Sequence, residues 1–309
     1  MNAILKKTLR YTLLSFKYLL ITIKWLFITY AVAFSLVGTI ALYKAYIFVM
    51  TPIREVKALQ HNNPHETLYM TRYRETLEEK DTLSQIFVPL DSISTNLQHA
   101  VLAAEDDGFY THPGFDIEAM LEAMEYNRIN NKIKRGASTL TQQLAKNLFL
   151  TSERSFERKY RELMYTVLME KILGKKRILE LYLNYAQWGK ALFGCEAASR
   201  HYYKKSCKKL TRMEAARLAA VLAKPEKVSP LNMKSTFIPK RIAVIANNLF
   251  LHHLIDDSGY TALTGNPLPV KDTIDTVRVP PPAIKPAIQP PPKTDKSKRT
   301  QKIPLPREK

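Results

Sequence analysis

Acidic residues are in short supply. The 309 residues include 28 Asp and Glu against 47 Lys and Arg, a net charge of +19, so an anionic partner is expected. Nucleic acid, anionic lipid headgroups and a pyrophosphate substrate all meet that requirement at this level. Cysteine is scarcer still: Cys195 and Cys207 are the only two. They are too few for a disulfide framework and read as free thiols, which leaves the compartment open. No Walker-type glycine loop and no His/Cys spacing suited to a metal cage is present. Clear strand patterns are nearly absent too, so the fold is expected to be mainly α.

Charge is missing altogether from Trp25 to Tyr43. As a helix this run would be about 28 Å long, close to the thickness of a bilayer core. Trp25, Tyr43 and Tyr46 flank it and suit the headgroup level. Lys6, Lys7, Arg10, Lys17 and Lys24 precede it, whereas Lys44, Arg54 and Lys57 follow. That imbalance places the N-terminus in the cytoplasm and the body of the chain on the outer face. The apolar run is too long for a signal peptide, and no small-x-small cleavage site follows it. The organisation expected is a basic cytoplasmic segment over 1–24, a transmembrane anchor over 25–48, a folded domain over 60–255 and a tail over 266–309.

Within 51–90, Pro52, Pro64 and Pro89 are expected to interrupt any long helix. Ser94 or Thr95 can cap a helix with Leu97, Ala100, Val101 and Ala104 on one face, and Glu105 then leaves its last turn. Asp116 caps the next helix, whose apolar face of Ile117, Met120, Leu121 and Met124 is assigned to the core. A helix over 156–173 should turn Tyr160, Leu163, Met164, Val167 and Leu168 inward and end at Gly174. Further helices are expected over 175–188 and 197–203. Thr211 and Glu214 form a capping box for a helix reaching Leu222, and Pro239 could open a last one ending near Leu254. Beyond Gly265 the chain carries eleven of its eighteen prolines, with Lys and Arg dominating the remainder. Such a segment cannot bury enough apolar surface to fold and is expected to be an extended, mobile, disordered tail.

The stretch Ala103–Asn147 carries the chemistry. Three acids, Glu105, Asp106 and Asp107, stand beside Gly108 and Phe109, and a polar run from Arg135 to Asn147 follows one helix later. Unpartnered polar groups are costly to bury, so this composition points to a cleft. Glu105 can serve as a general base, and a nearby Asp106 or Asp107 would raise its pKa. Glu162, in Arg158-Lys159-Tyr160-Arg161-Glu162, is the second acid. Carboxylate pairs are the tools of glycosyl chemistry. Lys146, Arg154, Arg158 and Lys159 are more cations than a hydrolase needs, but they suit a pyrophosphate leaving group. Ser138, Thr139, Thr141, Gln142 and Gln143 can donate hydrogen bonds to phosphate or sugar.

At these residues the sequence resembles the peptidoglycan glycosyltransferases, most closely the monofunctional biosynthetic peptidoglycan transglycosylases. The resemblance rests on Glu105-Asp106 followed by Phe109, His112, Gly114 and Asp116, and on the run Gly136 to Asn147. It extends to Arg158-Lys159-Tyr160-Arg161-Glu162, to Ile178 through Asn184, and to Ala197 through Lys205. It implies a lysozyme-like, mostly helical domain with a hydrophobic, membrane-facing lobe. It implies further that Glu105 deprotonates the 4-hydroxyl of the GlcNAc of lipid II, and that this oxygen displaces undecaprenyl pyrophosphate from a growing glycan with inversion.

Glu162 would assist near the pyrophosphate, which Lys146, Arg154 and Lys159 would neutralise, while Ser138, Thr139, Gln142 and Gln143 would shape the donor site. Asp106, Phe109, His112, Asn147 and Arg158 complete the expected substrate-binding set. The one cofactor admitted is a divalent cation, Mg or Mn, bound with the pyrophosphate. Partners are lipid II, undecaprenyl-linked glycan, membrane lipids and other cell-wall synthesis proteins. Nucleic acid is excluded by the outward topology, and no penicillin-binding domain is expected after residue 265. Two departures stand out: Gly189 to Gly194 lacks a middle glycine common in the family, and Tyr203-Lys204-Lys205 has lysine where glycine is frequent. The competing readings are a lysozyme-like hydrolase, which would not need Lys146 or Arg154, and a non-catalytic scaffold using the basic tail.

Overall fold

The computed structural model describes residues 2–78, 81–130, 136–151 and 155–268. It begins with α1, Asn2–Ala58, a single helix of 57 residues, about 85 Å long. Among the described residues this is the one helix long and apolar enough to cross a membrane. The uncharged run lies inside it. Pro52 does not end the helix as its chemistry suggests; it lies within it. The turns beyond Pro52 are held from outside instead. Val56 is fully buried, Glu55 accepts a hydrogen bond from the Tyr165 hydroxyl, and Phe48 stacks on Tyr160. Docking outweighs the one backbone hydrogen bond that proline removes.

The body is helical. α2, Leu68–Glu75, opens on a Thr67 cap, and α3, Thr95–Glu105, on Ser94, whose hydroxyl accepts from the Leu97 N–H. Asp116 caps α4, Ile117–Ile129. α5, Leu140–Phe149, is followed by α6, Phe156–Ile172, and α7, Gly174–Tyr185. Then come α8, Cys195–Tyr203, α9, Arg212–Val221, α10, Phe237–Leu251, and α11, Asp257–Thr264. Thr211 and Glu214 make the expected capping box on α9. Three short strands form one small sheet in the order β1–β3–β2, with β1 Ser84–Gln85, β2 Gln187–Gly189 and β3 Leu192–Phe193. β1 runs parallel to β3 and β2 antiparallel to it.

α3 packs against α9 and α10, and α5 against α6 and α7. Ala215, Ala216, Ala219 and Ala220 on α9 are all fully buried, and their small side chains let helix axes approach closely. α11 packs on α9 and α10, so the helical body continues past residue 255. The expected tail falls, from residue 269 onward, outside the described residues.

Two faces differ from expectation. On α4 only Ala123 is buried, while Ile117, Met120, Leu121 and Met124 are exposed, Met124 by 66%. Those methionines are not core. On α6 the buried residues are Glu162, Tyr165, Thr166 and Met169, whereas Tyr160 and Leu163 point outward and Phe156 is 97% exposed. The inward face of α6 mixes Tyr165 and Met169, which join the core with Leu168 against it, with polar groups that have partners: the Thr166 hydroxyl donates to the Glu162 carbonyl, and Tyr165 stacks on Phe149. Hydrogen-bonded polar groups can be buried at little net cost.

The two segments where the resemblance leads one to expect a further glycine share one feature. Ala191 and Lys204 both adopt left-handed backbone, with φ of 53° and 56°. Glycine enters that region freely, and a residue with a Cβ does so at a cost.

Candidate active site

Glu105 is the last residue of α3 because Asp106 leaves helical backbone, at φ −165° and ψ 75°. The Asp106 side chain then turns inward. One carboxylate oxygen lies 2.8 Å from His112 Nε2, and the other accepts from the Leu140 N–H at 2.8 Å. His112 Nδ1 accepts from the Gly114 N–H, which leaves the ring proton on Nε2, facing Asp106. Burial pushes the Asp106 carboxyl up, and the bonds from His112 and Leu140 oppose it. Asp106 therefore fastens the loop after α3 to the N-terminus of α5, where a carboxylate also meets the positive end of the helix dipole.

Thr139 and Gln142 form the capping box of α5, and the Thr139 hydroxyl donates to the Gly114 carbonyl at 2.6 Å. Both are buried and engaged with the cap. Gly114 has φ +99°, and a Cβ there would fall 2.6 Å from Glu170 Cγ and 2.9 Å from Thr166 Cγ2. The missing side chain is what lets the loop press against α6. Glu170 Oε1 also accepts from Thr141 Oγ1 at 2.6 Å and Lys175 Nζ at 2.9 Å. Phe109 is fully buried, with Lys175 Nζ 4.4 Å from its ring centroid.

The Glu105 carboxylate sits at the junction of α3, α5 and α10, its side chain 13% exposed. Gln143 Nε2 donates to Oε2 at 3.2 Å, and Arg241 Nη2 donates to Oε1 at 3.1 Å. The same Arg241 nitrogen donates to the Ala104 carbonyl, and Asn248 Nδ2 to the Ala103 carbonyl, so α10 satisfies the open end of α3. Tyr182 donates its hydroxyl to Gln143 Oε1 at 3.0 Å. Burial, then the charges of Glu105 and Asp106, pushes the Tyr182 phenol well up, which keeps it a donor. Burial likewise raises the Glu105 carboxyl above 4.5; Arg241 and Gln143 pull it back, and Asp106 adds to the rise.

Glu162 lies on α6, which packs along α5. Its side chain is 5% exposed; it accepts from Arg158 Nη1 at 2.8 Å and pairs with Lys159. Of the other expected site residues, Ser138 and Lys146 are exposed and Asn147 half-buried, while Arg154 lies outside the described residues. Among those described, no three His, Cys, Asp or Glu side chains form a metal cage.

Sequence reasoning missed Arg241 and Tyr182. Tyr182 stood within a quoted motif, Ile178 to Asn184. Arg241 had only the Lys240-Arg241 pair at the start of α10 to mark it.

Residues 72–249 match the family model described as Transglycosylase. The chain is 43% identical to the biosynthetic peptidoglycan transglycosylase of Aromatoleum aromaticum over 195 residues, covering 62% of this chain and 83% of that protein. To the protein of that name from Paraburkholderia xenovorans it is 39% identical over 228 residues, 73% of this chain and 91% of the other. To that from Cupriavidus metallidurans it is 44% identical over 195 residues, 62% and 81%.

Proposed function

This chain belongs to the transglycosylase family, with the mainly α, lysozyme-like fold, and is a peptidoglycan glycosyltransferase; on that premise we propose that it polymerises lipid II with Glu105 as the general base. Glu105 takes the proton of the GlcNAc 4-hydroxyl of lipid II. The oxygen attacks the anomeric carbon of the growing glycan, with inversion. One C–O bond forms, the bond to pyrophosphate breaks, and undecaprenyl pyrophosphate leaves. The observation that carries this reading is the setting of Glu105, largely withdrawn from solvent yet held between Gln143 and Arg241. Burial strengthens the carboxylate as a proton acceptor, and the arginine keeps it ionised and aimed. Glu162, clamped by Arg158 and Lys159, organises cations that neutralise the departing pyrophosphate together with Lys146 and Arg154. Because Glu162 is already paired with Arg158 and Lys159, it offers no free carboxylate to a Mg or Mn ion.

We place α1 across the cytoplasmic membrane with the body on the outer face, following the excess of Lys and Arg before the apolar run. The stacking of Phe48 on Tyr160 sets the outward side of α6 beside the end of the anchor. Phe156, Tyr160 and Leu163 there, and the apolar face of α4, are suited to lipid. Tethering enzyme and lipid-linked substrate to one surface raises their effective concentration. The test is Glu105→Gln in the full chain, assayed for polymer from lipid II and for thermal unfolding. The expected result is loss of polymer by at least about a hundredfold with the melting temperature retained. Substantial residual polymer would remove Glu105 from the role.

A further inference from the structure

Cys195 and Cys207 take no part in the chemistry above, yet their placement is specific. Both are fully buried, and their sulfur atoms lie 3.8 Å apart. Cys195 opens α8, and Cys207 opens the short 3-10 turn Cys207–Lys209. The chain between them closes on itself without the sulfurs. Glu196 accepts from the Cys207 N–H at 2.8 Å and from the Ser206 hydroxyl at 3.0 Å, and it pairs with Arg200 at 2.7 Å. The Cys207 carbonyl accepts from the Ser94 N–H, and Ser94 caps α3, the helix that ends in Glu105. A lone buried cysteine acts as a small apolar residue and needs no second one. Here two face each other across a preformed loop, about 1.8 Å short of bonding distance.

We propose that Cys195 and Cys207 are a disulfide site, bonded as the chain folds. The inference rests on the outward topology proposed above, because an oxidising compartment supplies the oxidant. That oxidant is a protein disulfide of the thiol-oxidase class. One cysteine thiolate attacks the oxidant's disulfide, forming a mixed disulfide and releasing one oxidant sulfur as a thiol. The second cysteine attacks the protein sulfur of the mixed disulfide and expels the oxidant's other sulfur. The two cysteines lose two protons and two electrons, and the oxidant's disulfide becomes a dithiol. Exchange takes place before the core closes, since both sulfurs are sealed afterwards. The same burial then shields the bond from small reductants. Its effect is to fasten α8 to the cap of α3.

The experiment uses the full chain in the cells that insert it. Cells are quenched with acid, and the protein is denatured and alkylated with a mass-tagged maleimide, with and without prior reduction. The expected result is no tag before reduction and two after. Melted in the presence of reductant, which reaches the bond only as the chain opens, the purified protein should unfold roughly 6–12 °C lower than without it. Cys195→Ala/Cys207→Ala should melt at the lower value and ignore the reductant. In that double variant, Thr261→Cys, on the exposed side of α11, reports topology through an impermeant maleimide applied to spheroplasts. Two tags without reduction, with Thr261→Cys labelled, overturn the disulfide and leave the topology standing. Two tags with Thr261→Cys unlabelled overturn both.

Discussion

Gly114→Ala tests whether the loop after α3 is held as described. Gly114 has φ +99°, and the added Cβ would fall 2.6 Å from Glu170 Cγ and 2.9 Å from Thr166 Cγ2. Neither neighbour can retreat freely. Glu170 is fixed by Thr141 and Lys175, and Thr166 is buried and bonded to the Glu162 carbonyl. A side chain at such a φ costs about 1–3 kcal/mol, and overpacking a buried contact costs about 1–3 more. The sum, about 2–6 kcal/mol, is a large part of a domain's ordinary stability. It corresponds to a fall in melting temperature of about 4–24 °C. The control is Gly136→Ala, where a Cβ would meet nothing within 4 Å, so melting should be unchanged. Thermal unfolding of both variants in one detergent gives the comparison. A Gly114→Ala protein melting within about 2 °C of the parent would show that the loop does not press on α6 through this residue.

Three further outcomes follow from the geometry. Arg241→Ala removes the cation that restrains the raised pKa of Glu105. The acid limb of the rate–pH profile should move to higher pH, and Arg241→Lys should restore much of it; an unmoved limb would detach Arg241 from Glu105. The sign for stability is fixed by the same rise. A carboxyl whose folded pKa exceeds its unfolded value stabilises the fold at low pH and loses that contribution as pH rises through the folded value. Arg241→Ala should therefore cost more melting temperature at about pH 8 than at about pH 5, and equal losses would refute the coupling. Ala191→Gly and Lys204→Gly relieve left-handed backbone; each should stabilise by about 0.5–1.5 kcal/mol. Melting curves check this, and a lower melting temperature for both would contradict it.

What the sequence made legible was local. Ser94, Asp116 and Thr211 cap the helices that their chemistry announces, because a cap involves residues three apart. Glu105 lies at the end of α3 for the same reason. Arg241 reaches Glu105 from 136 residues away, and nothing near either residue encodes that meeting. Pro52 misled for the converse reason: its local preference was correct, and docking against α6 overrode it. The polar run after Arg135 mixed two uses that composition cannot separate. Gln143 turns to the Glu105 carboxylate, whereas Thr139 and Gln142 are consumed in capping α5.

The apolar faces of α4 and α6 misled in a more instructive way. Periodicity reports which side of a helix avoids water, and says nothing of what covers it. On α6 the two faces exchange their usual partners: Glu162 and Thr166 point into the protein, and Phe156, Tyr160 and Leu163 point away. Burying such a large apolar side chain is worth about 1.5–3 kcal/mol. Leaving these three and the face of α4 in water would forfeit a sum comparable to the stability of the whole domain. A sequence that keeps so many apolar groups outside, those of α6 beside the long apolar helix α1, is suited to a medium other than water. Under the proposed topology that medium is lipid. It is then the membrane that lets α6 place Glu162 and Thr166 beside Tyr165 and Met169 on its inner face, because the helix does not depend on that face alone for its hydrophobic anchoring.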